Sequence, residues 1–304
     1  MRNFLIDTDT GSDDAVALAM ALNNSNINIE AITVVAGNIP VEKGLQNALY
    51  TVELCNKKTP VYLGEDKPLK RPLRTSEFFH GQDGLGDIGL DLKGRKATDG
   101  NAIDIIIEKV YEFENSLEIV AIGPLTNLAL AIKRDPKIIS KIKNCFIMGG
   151  TAFGPGNITP FSEFNFWVDP EAAEIVLQSG MEITLIDWDA TKKYAWFDSN
   201  TIKSINNLNT SLSKFSMDIQ NNPKKYKKKK YGNEMIELAD PLAMAIALDP
   251  SIIIKSKKYN VNIDLSNKER RGENILNEEG EKNITVILKA SRKKFLDIFK
   301  KSLK

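Results

Sequence analysis

The sequence has two cysteines, a single histidine, no long apolar run and almost no excess of either charge. Cys55 and Cys145 sit among apolar neighbours in segments that read as helix and strand, without metal-ligand spacing, so a disulfide framework is excluded. With 41 basic and 40 acidic residues there is no global field to favour nucleic acid or a membrane surface, and whatever is bound is bound locally. No segment is long and apolar enough to span a bilayer, and Met1 runs into the apolar Phe4-Leu5-Ile6 without a basic region or a cleavage site. A reducing cytoplasm is the expected setting.

What is present is a large apolar fraction, 42% of 304 residues, enough to bury a sizeable core and argue against disorder. Short β-branched runs at 3–7, 29–36, 60–63, 117–122, 144–148 and 182–186 alternate with stretches of helical apolar spacing at 13–22, 41–55, 101–113, 125–134, 170–178 and 241–247. That alternation predicts an α/β fold, an open, mostly parallel sheet flanked by helices. Beyond about 252 the pattern changes to two alternating strands, 260–265 and 283–288, joined by a polar segment and followed by a basic helix. The expectation is a single domain over 1–304, with a core at 3–250 and a peripheral C-terminal hairpin and helix at 252–304. The one low-complexity run, PKKYKKKKY at 223–231, reads as a solvated lysine face.

Chemistry concentrates at the first strand end. Ile6-Asp7-Thr8-Asp9-Thr10-Gly11-Ser12-Asp13-Asp14 places four carboxylates in the turn between a buried strand and a helix, with Ser12 the expected N-cap. Four such charges raise one another's pKa values unless positive charge lies among them, and a hard divalent cation is the simplest source. The turn is pinned at the carboxyl edge of the sheet, where open α/β folds bind ligands. Other strand ends add Gly37-Asn38, Gly123-Pro124-Leu125-Thr126-Asn127 and Met148-Gly149-Gly150, which together suggest one shared pocket. The stretch 156–165 carries Asn157, Glu163 and Asn165 between Phe161 and Phe164, a set able to hold several hydroxyls against an apolar face, as a sugar requires. Each of these segments, taken singly, also reads as a plain turn.

Together these residues resemble the inosine-uridine preferring nucleoside hydrolases. The resemblance covers about 3–250. Its most specific element is DxDxGxDD at Asp7, Asp9, Gly11, Asp13 and Asp14, supported by Val35 to Asn38, His80-Gly81 through Gly86, Gly123 through Asn127, Met148 to Gly150, Glu163 to Asn165 with Val168 to Ala173, and Asp240-Pro241. It implies hydrolysis of a ribonucleoside to free base and ribose. Ca²⁺ would be held by Asp9, Asp14, Asp240 and the Thr126 carbonyl, with Asp9 the general base on a calcium-bound water. Ribose would be held by Asp13, Asn38, Asn157, Glu163, Asn165 and the Met148 backbone. Homodimers and homotetramers are usual in the family.

The chain departs from the pattern where many members carry a histidine just before the last metal aspartate; here that residue is Ala239. His80 is expected on the base side of the pocket, and Tyr226 is the first candidate to activate the leaving base. None of Trp167, Trp188 and Trp196 falls at the position of Ala239. Two rivals remain at this stage: a non-catalytic Ca²⁺-dependent nucleoside-binding protein, and a haloacid-dehalogenase-type phosphatase with Asp7 as nucleophile.

Overall fold

The computed structural model describes residues 1–266 and 268–304. Its strands are β1 (Arg2–Thr8), β2 (Ile27–Val34), β3 (Val61–Leu63), β4 (Leu117–Ala121), β5 (Asn144–Met148), β6 (Ile183–Ile186), β7 (Trp196–Phe197), β8 (Ile236–Glu237), β9 (Ile253–Ile263), β10 (Asn274–Asn277) and β11 (Ile284–Ala290). The helices before β6 are α1 (Ser12–Leu22), α2 (Val41–Leu54), α3 (Glu77–His80), α4 (Ala102–Glu112), α5 (Thr126–Arg134), α6 (Phe164–Val168) and α7 (Pro170–Leu177). After it come α8 (Trp188–Tyr194), α9 (Ser199–Asn206), α10 (Ser211–Asp218), α11 (Asn221–Tyr231), α12 (Ala239–Leu248) and α13 (Arg292–Ser302).

The main sheet runs β10-β9-β11-β6-β5-β4-β1-β2-β3. From β11 to β3 every neighbouring pair is parallel. Both faces are buried, so consecutive strand residues serve opposite cores: Phe4 and Ile6 pack in one, Leu5 in the other, as Val120 opposes Ile119 and Phe146 opposes Cys145. The first core holds α1, α2, α12 and α13, and the second holds α4, α5 and α7. Helix α1 is apolar on nearly every side because it lies between the sheet and α12.

The order β3-β2-β1-β4-β5-β6 reverses between β1 and β4, which opens a crevice beyond the carboxyl ends of those two strands. The aspartate turn leaves β1 and the Gly123–Thr126 turn leaves β4, so chain topology alone delivers both to one place.

The C-terminal strands pair antiparallel as the sequence suggests, but they are joined to the main sheet through β11, which runs parallel to β6. Strand β9 also begins earlier than its apolar alternation, because residues 254–258 are exposed and show no period-2 signal. Strand β10 lies inside the segment read as a polar linker and pairs with 260–263. The low-complexity lysine run is helix α11. Among the described residues no helix is long and apolar enough to cross a membrane.

Candidate active site

Asp9 is fully buried, and two glycines make room for it. A Cβ on Gly37 would lie 2.2 Å from Asp9 Oδ2, and one on Gly123 2.9 Å from Oδ1, so any side chain at either position would displace the carboxylate. Oδ2 accepts the Asn38 backbone N–H at 2.6 Å, whereas Oδ1 is buried without a hydrogen-bond partner. Asp14 is held from three sides: Thr8 Oγ1 donates to Oδ1 at 2.8 Å, and the Gly11 N–H and Asn38 Nδ2 donate to Oδ2 at 2.9 and 3.0 Å. The cap of α1 thus falls on Gly11. Ser12, the expected cap, is the helix's first residue, and its hydroxyl meets His80 instead.

Asp240, in the first turn of α12, comes back across the crevice to this cluster. One carboxylate oxygen each from Asp13, Asp14 and Asp240 lie within 4.8 Å of one another. Burial first, and then the neighbouring negative charge of Asp14 for Asp9 and of Asp13 for Asp240, hold both of these carboxyls well above their ordinary range. Burial also raises Asp13 and Asp14. An unpartnered buried oxygen beside three converging carboxylates, with no nitrogen or sulfur donor among them, fits a hard, oxygen-seeking divalent cation. The converging trio includes Asp13, expected only at the sugar, while Asp9 joins it through its charge coupling to Asp13 and Asp14. Thr126 is buried at the start of α5, its hydroxyl donating to Asp169 Oδ2 at 2.7 Å.

Asp7 faces away from this chemistry. It is fully buried, with Oδ1 bound by Thr33 Oγ1 at 2.5 Å and Asn127 Nδ2 at 2.8 Å, and burial pushes its carboxyl up to about 7. A phosphoryl-accepting aspartate must be open to substrate, so the phosphatase reading does not hold.

Above the cluster opens a cavity of about 280 Å³. Asp13, Asn38, Met148, Asn157, Glu163, Asn165 and Asp240 are among its lining residues. Glu163 caps α6, accepting from the backbone N–H groups of Asn165 and, across the loop, Gly150 at 2.9 and 2.8 Å; burial raises its carboxyl to about 7. Asn165 Nδ2 donates to the carbonyls of Ile122 and Met148 at 3.1 and 3.2 Å, which ties α6 to the ends of β4 and β5. Asn157 Oδ1 accepts the Phe164 N–H at 2.9 Å. Phe164 lines the cavity, but Phe161 does not: Arg270 stacks over its ring at 4.3 Å in a separate surface cleft.

The lining also includes aromatic and cationic side chains. His80 Nδ1 accepts the Ser12 N–H at 3.2 Å, which leaves the proton on Nε2, and burial lowers its pKa to about 4. Tyr226 meets the Phe79 ring edge-on at 5.5 Å and the Phe78 ring at 5.6 Å. The lysine run does not form one solvated face. Helical spacing turns Tyr226, Lys227, Lys230 and Tyr231 to the cavity, with Lys230 and Tyr231 still solvent-exposed, while Lys225, Lys228 and Lys229 are exposed and off the cavity. Trp188 and Glu237 also line the cavity. Trp188 follows the carboxyl end of β6, and the strand-end rule applied to β1 and β4 would have found it; for Glu237 the sequence held no signal.

A doubly wound sheet with a carboxylate-floored pocket at its switch point defines an α/β protein built to hold a small polar ligand. Over residues 4–297 the chain matches the inosine-uridine preferring nucleoside hydrolases, and it belongs to that family. Among curated relatives, Uridine nucleosidase 1 of Arabidopsis thaliana is 36% identical over 84% of this chain and 76% of its own. The pyrimidine-specific ribonucleoside hydrolase RihA of Escherichia coli is 34% identical over 99% of this chain and 97% of its own. Among solved structures, the plant nucleoside hydrolase PpNRh1 superposes with a TM-score of 0.93 at 29% identity, over 99% of this chain and 98% of that one. The purine-preferring ribonucleoside hydrolase from Gardnerella vaginalis gives 0.92 at 31% identity over the same shares. The protein is accordingly a ribonucleoside hydrolase, and the non-catalytic reading is set aside.

Proposed function

We propose that this hydrolase cleaves the C1′–N bond of ribonucleosides with Asp9 as general base, in a pocket whose floor holds a calcium ion through Asp9, Asp14, Asp240 and the Thr126 carbonyl. The observation that carries this reading is Asp9 Oδ1, a carboxylate oxygen buried in the interior without a partner. An oxygen so placed costs about 1–3 kcal/mol of desolvation unless it has a ligand to meet. When bound, calcium supplies compensating positive charge, positions for ribose hydroxyls and a lowered pKa for the attacking water.

Asp9 takes the proton of the attacking water, oriented by the Asn38 N–H on its other oxygen. Asp13, Asn38, Asn157, Glu163, Asn165 and the Met148 backbone hold the ribose. The carboxylates of Asp13 and Glu163 stabilise the positive charge that develops on the sugar as the bond breaks. His80, neutral and carrying its proton on Nε2, and Tyr226 line the base side. The two cysteines, both unpaired, accord with a reducing cytoplasm.

A panel of ribonucleosides and their 2′-deoxy counterparts, scored for free base and sugar, tests this. Ribonucleosides are cleaved and the deoxy forms lose about 100-fold or more, because the diol is what the floor recognises. Asp9→Ala, still folded by circular dichroism, loses about 1,000-fold or more in kcat. Equal turnover of both sugars, or activity retained in Asp9→Ala, refutes the mechanism.

A further inference from the structure

The floor accounts for the sugar and the water, but not for the departing base. As C1′–N breaks, the electron pair of that bond stays on the base nitrogen, and a proton or a positive charge must meet it. Of the three lysines that line the cavity, Lys227 is the most enclosed. Lys227 Nζ lies 2.5 Å from Glu237 Oε2, and both side chains are largely enclosed, at 15% and 12% exposure. Both line the cavity.

The other two lysines that line the cavity are placed differently. Lys230 is exposed, with Nζ 3.0 Å from Tyr226 Oη, and Lys192 is paired with Asp189 at 3.1 Å and donates to the Pro155 carbonyl at 2.8 Å. Glu237 is not on a loose loop. It belongs to β8, which pairs with β7, and it stands three residues before Asp240. Three residues of chain reach at most about 10 Å, the scale of a nucleoside, so one short segment sets the spacing between the sugar floor and the base end.

We propose that Lys227, positioned by Glu237, is the catalytic residue that donates a proton to the departing base. The ion pair with Glu237 holds the ammonium group in place, and its N–H donors can meet a carbonyl oxygen or ring nitrogen of the base. The proton given up by Lys227 is balanced by the one Asp9 takes from water, and exchange with solvent resets both groups. This assignment rests on the hydrolase reading above.

The test compares a natural ribonucleoside, whose base leaves poorly without a proton, with p-nitrophenyl β-D-ribofuranoside, whose nitrophenolate leaves unaided. Lys227→Met keeps the length of the side chain and removes the charge. Its kcat on the ribonucleoside falls by about 100-fold or more relative to its kcat on the nitrophenyl riboside. Lys227→Arg keeps the charge but cannot give up a proton, so it does not restore the lost selectivity, and Glu237→Gln shows a smaller shift in the same direction as Lys227→Met. An equal loss on both substrates, or no loss on either, overturns the role of Lys227 while leaving the hydrolase intact. Wild-type protein inert on both substrates would instead overturn the hydrolase reading itself.

Discussion

Chelating the divalent cation near pH 8 will destabilise the protein, and lowering the pH will recover part of the loss. Oxygens of Asp13, Asp14 and Asp240 lie within 4.8 Å of one another. At that spacing and an effective dielectric constant of about 20, each ionised pair repels by at least about 3.5 kcal/mol, or about 10 kcal/mol for the three pairs. This is of the order of the whole stability of a folded protein, about 5–15 kcal/mol. The cation-free protein escapes part of the repulsion by taking up protons, which is what the raised pKa values of Asp9, Asp13, Asp14 and Asp240 describe. A carboxyl whose pKa is higher folded than unfolded binds more protons in the native state, so stability falls as pH rises from the unfolded value through the folded one.

With a chelator present, calorimetric scans between about pH 5.5 and pH 8.5 therefore show Tm declining as pH rises; with calcium the decline is shallower, the part due to Asp7 and Glu163 remaining. If proton uptake leaves a residual penalty of about 4 kcal/mol near pH 8, chelation lowers Tm there by about 6 °C. Identical Tm values with and without chelator near pH 8, or a cation-free protein that gains stability as pH rises, would refute the electrostatic argument.

Two substitutions probe the scaffold of the site. Gly37→Ala pushes a methyl group into Asp9 Oδ2 and into Pro124, whose Cδ would be 2.7 Å away; it should cost about 1–3 kcal/mol in urea unfolding and about 100-fold in kcat, by displacing Asp9. Glu163→Gln turns an NH₂ group toward backbone N–H donors that now meet a carboxylate. It should lose about 1–3 kcal/mol of stability and at least about tenfold in kcat/KM on ribonucleosides, and a Gln variant as active as the parent would remove Glu163 from the sugar site.

The sequence by itself determined the scaffold and the carboxylate-bearing turn at its first strand end. Short continuous apolar runs alternating with helical spacing specify a parallel sheet, because burial of both sheet faces demands apolar residues at consecutive strand positions. DxDxGxDD, placed directly after β1, fixes where the carboxylates lie, because a strand end is a rigid address. The tertiary structure alone decided the rest. Asp13 converges with Asp14 and Asp240 only in three dimensions, where α12 packs on α1. The base end was the least legible. A lysine-rich run carries no hydrophobic periodicity, so nothing in it distinguishes a cavity-facing residue from a solvated one. Folding it as α11 turned Tyr226 and Lys227 inward, and pairing β8 with β7 set Glu237 beside Lys227. Strand periodicity is written in local sequence; a contact between two distant polar residues exists only once the chain between them has folded.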